Sequence, residues 1–251
     1  MGVRRLRTDV LGVGFDDLTV AEAAGRGLEL LEQEGFHYVV TPNPELVMAA
    51  EKDAAFRDVL NGADLVLPDG VGVVKAAKLL GRPLKGRCPG IDFASALMER
   101  LAGTGKGLFL LGAKPGVAEK AAERLGERYP GLKLCGVHDG YFHDDGPVAE
   151  AVKASGAEVL FVCLGFPRQE FWMAQHGGET GVGLAVGLGG SLDVFAGEVE
   201  RAPEGWQRLG LEWLYRLLKE PKRIGRMAKL PLFLVKALAA GGRKQERETE
   251  R

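Results

Sequence analysis

The chain has 251 residues, 46% of them hydrophobic, with 33 Lys and Arg against 34 Asp and Glu. That length and apolar content exclude a disordered or low-complexity chain and allow a sizeable core. The charge is unevenly spread: residues 201–251 hold 13 basic and 6 acidic side chains, and residues 1–200 hold 20 basic and 28 acidic. An anionic partner is therefore expected at the C-terminal end.

The N-terminal MGVRRLRTDVLGVGF lacks a long apolar core, so no signal peptide is expected, and no apolar run reaches the roughly 20 residues that span a bilayer. A cytoplasmic protein that can still touch a membrane surface is the expectation. Cys88, Cys135 and Cys163 are far apart, and the latter two stand in apolar runs, which reads as reduced, buried thiols.

In chain order, TDVLGVGFDD reads as a short strand and turn, and LTVAEAAGRGLELLEQEG as a helix closed by Gly35. FHYVV is a strand, and TPNPELVMAAEKDAAFRDVLNG opens with turn residues and becomes a helix. ADLVL is a strand, PDG a turn, GVVKAAKLLG a helix, and RCPGIDFASALMERLAGTG a loop and helix. GLFLLG, LKLCGVHDGYF, EVLFVCLG and GVGLAVGLGG are further strands or strand-loops. Between them lie the helical VAEKAAERLGERYP, PVAEAVKASG and FPRQEFWMAQHG. Short apolar strands alternating with helices predict an α/β fold: a Rossmann-like, mostly parallel sheet with helices on both faces.

After FAGEVERAP the pattern changes. EGWQRLGLEWLYRLLKE reads as one amphipathic helix, with Trp206, Leu209, Trp213, Leu217 and Leu218 available to line one face. Pro221 can start another helix, in which Pro231 predicts a break or kink. GGRKQERETER is charged and expected to fray. The predicted organisation is an α/β body over 1–195, a basic helical appendage over 196–240 and a loose tail over 241–251. Arg208, Arg216, Lys219, Lys222, Arg223, Arg226 and Lys229 give the appendage a surface suited to anionic headgroups, at roughly 1 kcal/mol per near-surface cation. The alternative is a helix pair docked on the body with its charges in water. No nucleic-acid recognition motif is present.

In an open parallel sheet, ligands bind beyond the carboxyl ends of the strands. Those ends carry Thr41 and Asn43, then Asp69, Gly112 to Gly116, His138 and Asp139, Gly165 to Glu170, and Gly189 to Asp193. The glycines of LLGAKPGVAEKAA, Gly112 and Gly116, suit a diphosphate or form a plain tight turn; Gly189 and Gly190 present the same choice. LLGAKPGVAEKAA is neither a P-loop nor a full dinucleotide fingerprint, and GVGFDD and GAKPGV meet the fingerprint poorly, which weakens the case for a nucleotide-dependent dehydrogenase. In GFPRQEFW, Arg168 can meet phosphate oxygens and Gln169 can bridge hydroxyls and amides, or Arg168 and Glu170 decorate the helix. Thr41 and Asn43 are candidate polar ligands or turn and cap residues. Asp69, in VLPDGVG, either caps a helix or accepts a proton. The histidines and cysteines have no zinc spacing, and HDGYFHDD reads as a solvated loop, so no metal is expected.

Seven blocks, TPNPELVMAA, ADLVLPDGVGVV, GRCPGIDF, FLLGAKPGVAEKAAERL, VCLGFPRQEFW, GLGGSLDVFAG and RAPEGWQRLGLEWLYRLLKEPKRIGR, follow one another as in the bacterial WecG/TagA/CpsF glycosyltransferases, which the chain resembles over nearly its whole length. The resemblance implies an inverting, metal-independent enzyme without a cofactor. In the teichoic-acid branch, N-acetylmannosamine passes from UDP-ManNAc to undecaprenyl-diphosphate-linked GlcNAc in a β linkage; other members use UDP-ManNAc uronic acid or UDP-glucose. It further implies that Asp69 is the base, that Thr41, Asn43 and Gln169 line the pocket, and that Arg87 meets phosphate. Arg216, Arg223 and Arg226 become candidates for diphosphate or lipid contacts in an appendage that meets the inner face of the plasma membrane and closes the site. A homo-oligomer is also compatible with it. A noncatalytic UDP-sugar or lipid-binding module is the remaining rival.

Overall fold

The structure, a computed structural model, describes residues 7–219 and 229–249. A hairpin of β1 (Thr8–Val10) and β2 (Val13–Phe15) opens the chain, its two-residue turn made by Leu11 and Gly12, both at positive φ. Six further strands form one fully parallel sheet: β3 (His37–Val40), β4 (Leu65–Val66), β5 (Gly107–Gly112), β6 (Lys133–His138), β7 (Val159–Cys163) and β8 (Leu184–Gly187), in the spatial order β4-β3-β8-β7-β5-β6. The expected parallel α/β fold is the fold observed.

Strand periodicity feeds two cores. Along β7, Leu160 and Val162 enter one apolar cluster, while Val159, Phe161 and Cys163 enter the other. The first core is roofed by α2 (Pro44–Lys52), α3 (Ala54–Gly62), α4 (Val71–Leu79), α7 (Asp145–Ala154) and α8 (Arg168–His176). The second is roofed by α1 (Val20–Leu31), α5 (Gly90–Leu101), α6 (Val117–Arg128) and α9 (Ser191–Phe195). The connection after β3 thus leads to one face and that after its neighbour β8 to the other, which opens a crevice between their ends.

The single helix expected after Thr41 is two. Asp53 leaves helical geometry at φ −125° and ψ 106° to end α2, and its carboxylate caps α3 by accepting from Phe56 N at 3.0 Å. The single amphipathic helix expected over 204–220 is likewise divided, into α10 (Glu204–Arg208) and α11 (Glu212–Lys219). Gly210, at φ +68°, breaks it, because a left-handed residue cannot continue an α-helix. The expected apolar face is accordingly split: Leu209 and Leu218 are 74% and 65% exposed, while Trp213 and Leu217 turn into a cleft.

The last helix, α12 (Lys229–Thr249), runs on past Gly241, where the sequence reading has the tail fray. Gly241 is there for proximity: a Cβ on it would stand 2.7 Å from the Leu79 carbonyl oxygen at the end of α4. Pro231, expected to break or kink a helix, is the third residue of the described span of α12, which stays helical from Lys229 to Thr249. Phe233 and Ala237, one turn apart, are fully buried in the first core, so α12 is packed onto the body along α4 and α2. Among the described residues, no helix is long and apolar enough to cross a membrane.

Candidate active site

A cleft of about 460 Å³ opens over the carboxyl ends of β4, β3, β8 and β7. Thr41 follows β3, and its Oγ1 donates to the Gly187 carbonyl at 3.1 Å, tying the ends of β3 and β8 together. Asn43 caps α2: its Oδ1 accepts from Glu45 N at 2.8 Å and Leu46 N at 3.2 Å, leaving its NH2 group unused by the cap. Both residues line the cleft, so each has the turn or cap role open in the sequence and also a place in the pocket wall.

Asp69 sits half-buried at the exit of β4, held by a bond from its own N–H to the Pro42 carbonyl at 3.1 Å. The N-cap position of α4 belongs to the next residue, Gly70, whose φ of +90° and ψ of 150° suit only glycine. This extended step sets the Asp69 side chain on the cleft wall ahead of the helix. The Cys88 thiol is pushed up to about 12, first by burial and then by the charges of Asp69 and Asp92, so it is an inert neighbour of the acid. Cys163 is likewise pushed up to about 12, chiefly by burial.

Gln169 is 4% exposed and is held at both ends of its amide. Its Nε2 donates to Glu170 Oε1 at 2.8 Å, and its Oε1 accepts from Gly189 N at 2.9 Å, which couples α8 to the turn after β8. Glu170 is completely buried, and burial pushes its carboxyl up to about 7. The sequence offered Glu170 only as helix decoration. Gly189 and Gly190 both line the cleft.

Arg87 also lines it, its Nη2 donating to the Gln207 carbonyl at 2.8 Å and its Nη1 paired with Glu212 of α11. Arg201 and Glu212 complete this wall and were not singled out from sequence. Their bonds join residues up to 125 positions apart, and such pairings leave no local pattern to read.

Gly112 and Gly116 stand elsewhere. Gly112 ends β5 and Gly116 lies in the turn after it; the strand order separates β5 from β8 by β7, and neither glycine lines this cleft. Gly112 serves a close approach of strands, since a Cβ there would lie 2.3 Å from the Cys163 carbonyl oxygen. Arg168 points away as well, donating to the carbonyls of Gly140 at 2.7 Å and Phe142 at 3.1 Å with its guanidinium over the Phe142 ring. Arg216 falls on α11, but its side chain is outside the described part, and Arg223 and Arg226 lie outside the described residues. No cluster of three or more His, Cys, Asp or Glu side chains among the described residues is spaced to hold a metal ion.

Among the helices whose first turns reach the cleft are α2, α4, α5 and α8, through Pro44, Val71, Gly90 and Gln169. Their N-termini carry partial positive charge, which favours an anionic ligand. A carboxylate on one wall and cationic groups around it equip the cleft to accept a proton and stabilise a departing anion.

The sequence profile described as the Glycosyl transferase WecG/TagA/CpsF family matches residues 8–247. A Bacillus spizizenii protein named N-acetylglucosaminyldiphosphoundecaprenol N-acetyl-beta-D-mannosaminyltransferase is 40% identical over 208 residues, 83% of this chain and 81% of its own length. Proteins of the same name from Staphylococcus aureus strains MW2 and COL are each 36% identical over 237 residues, 93% of both chains. A match over almost every described element means that the chain belongs to the WecG/TagA/CpsF family and is a UDP-sugar-dependent glycosyltransferase.

Proposed function

We propose that the protein transfers N-acetylmannosamine from UDP-ManNAc to the GlcNAc of an undecaprenyl-diphosphate-linked acceptor, with inversion to a β linkage, as a step in cell-wall polymer synthesis. The names of the relatives support this transferred sugar and this acceptor. The observation that carries the reading is the common cleft: Asp69, Thr41, Asn43, Arg87, Gln169, Gly189 and Gly190, scattered between positions 41 and 190, all line it.

In this mechanism the acceptor hydroxyl attacks the donor's anomeric carbon on the side opposite the UDP. Asp69 takes the hydroxyl proton as the new C–O bond forms, while the C1–O bond to the β-phosphate breaks and UDP leaves with the electron pair. Thr41, Asn43 and Gln169 offer hydroxyl and amide groups to the sugars. Arg87 and the helix N-termini stabilise the charge growing on the diphosphate.

The lipid acceptor requires a peripheral position on the inner face of the plasma membrane. The support on the molecule is an apolar stripe on α12, Leu232, Val235 and Leu238, each at least half exposed. A donor panel on a GlcNAc-diphosphate-lipid acceptor tests the assignment: released UDP and disaccharide product are expected with UDP-ManNAc. Faster turnover with UDP-ManNAc uronic acid or UDP-glucose would move the protein to another donor within its family.

A further inference from the structure

Two arginines of the cleft share one carboxylate. Arg87 pairs through Nη1 with Glu212 Oε2, and Arg201 donates from Nε to Glu212 Oε1 at 3.3 Å. Arg201 is also gripped from the body, by Asp92 on α5, through Nη1 to Oδ1 at 2.5 Å and Nη2 to Oδ2 at 2.9 Å. The three cleft-wall partners are 18–24% exposed, so water screens them only in part.

The four groups have two positive and two negative charges and so cancel. A carboxylate bridging two guanidiniums presents its oxygens as a phosphate group would, because the planar fork of arginine matches both. The two acids are attached differently. Asp92 belongs to the first turn of α5 within the second core's roof. Glu212 opens α11, a two-turn helix set after the break at Gly210 and joined to α10 through the Trp206–Tyr215 ring contact. Withdrawal of Glu212 alone leaves the cluster at +1 and frees Arg87 Nη1 and Arg201 Nε toward the cleft.

We propose that Glu212 holds the place of a phosphate group in the ligand-free protein, and that Arg201, alongside Arg87, is a phosphate-contacting residue for a diphosphate-bearing ligand. The ligand class rests on the nucleotide-sugar reading above. Ligand entry exchanges one oxyanion for another and releases α11, so binding of the diphosphate and the position of the C-terminal helices are linked. The sign of the linkage is specific. A ligand that must displace Glu212 binds more tightly once that carboxylate is gone, whereas a strut that only anchors α11 gives no gain when it is removed.

The test is calorimetric titration of UDP, and separately inorganic pyrophosphate, into the full chain as wild type, Glu212→Gln and Glu212→Gln with Arg201→Gln. Glu212→Gln is expected to bind both ligands about 10-fold more tightly, and the added Arg201→Gln to cancel the gain. A second measurement needs no variant: UDP should change the tryptophan emission of the wild type, since Trp213 lines the cleft on α11. Unchanged or weaker binding of both ligands by Glu212→Gln, or no tryptophan response to bound UDP, overturns the proposal. Tighter pyrophosphate binding by Glu212→Gln with no UDP binding by any form keeps the exchange and removes the nucleotide reading instead.

Discussion

Glu170 shows how a polar residue can be essential to a wall it does not line. One of its oxygens takes the Gln169 amide and the other, Oε2, has no hydrogen-bond partner among the described residues, so the charged form is penalised. With its carboxyl pushed up to about 7 in the folded protein, the native state binds more protons than the unfolded chain above the ordinary value of 4.5. Stability therefore falls as pH rises from about 4.5 to 7 and stays lowered beyond, by at most about 3 kcal/mol. Glu170→Gln, which retains an acceptor for Gln169, should match the wild type near pH 4 and melt at a higher temperature near pH 8. Equal pH slopes in thermal melts of the two would refute the assignment. The sequence made Gln169, Thr41, Asn43 and Asp69 legible because each follows a strand end, where a parallel sheet puts its ligands. Glu170 was illegible because its burial depends on which helix face α3 and the sheet cover, and one polar residue in a helix does not disclose that.

At the scale of elements, strands were readable because their continuous apolar runs answer to two cores at once. The breaks at Asp53 and Gly210 were not, since helix-period residues continue through both and only backbone geometry ends the helix. The docking of α12 stayed open for a related reason: its charged residues suited either a membrane-facing appendage or a helix pair docked on the body, and only the fold shows that its buried stripe belongs to the core. Phe233→Ala should cost roughly 3–5 kcal/mol, measured by denaturant unfolding, because it empties a fully buried aromatic site. A loss under 1 kcal/mol would mean that α12 does not dock as described. It follows that truncation after Gly197 would damage folding and membrane contact together. The outward stripe separates the two: Leu232→Ser, Val235→Ser and Leu238→Ser combined should leave the unfolding midpoint nearly unchanged and reduce flotation with anionic liposomes. Undiminished flotation would remove the stripe from the membrane reading; a change in sedimentation instead would give that surface to a second copy of the chain.

For the molecule as a whole, strand order decides which loops cooperate. The ends of β4, β3, β8 and β7 form one wall, and those of β5 and β6 stand beyond them. Chain order cannot convey this, since β8 comes last and yet pairs with β3, which is why the Gly112–Gly116 turn looked as promising as Gly189–Gly190. The C-terminal helices add Glu212, Trp213, Leu217 and Leu230 to the lining of that cleft. The account depends on Asp69 being the group that takes the acceptor's proton within it. The direct measurement is single-turnover transfer by Asp69→Asn, with UDP binding measured in parallel. A fall in transfer of about 10²–10⁴-fold with UDP affinity and melting temperature retained is the predicted result; transfer at the wild-type rate by the folded variant would contradict it.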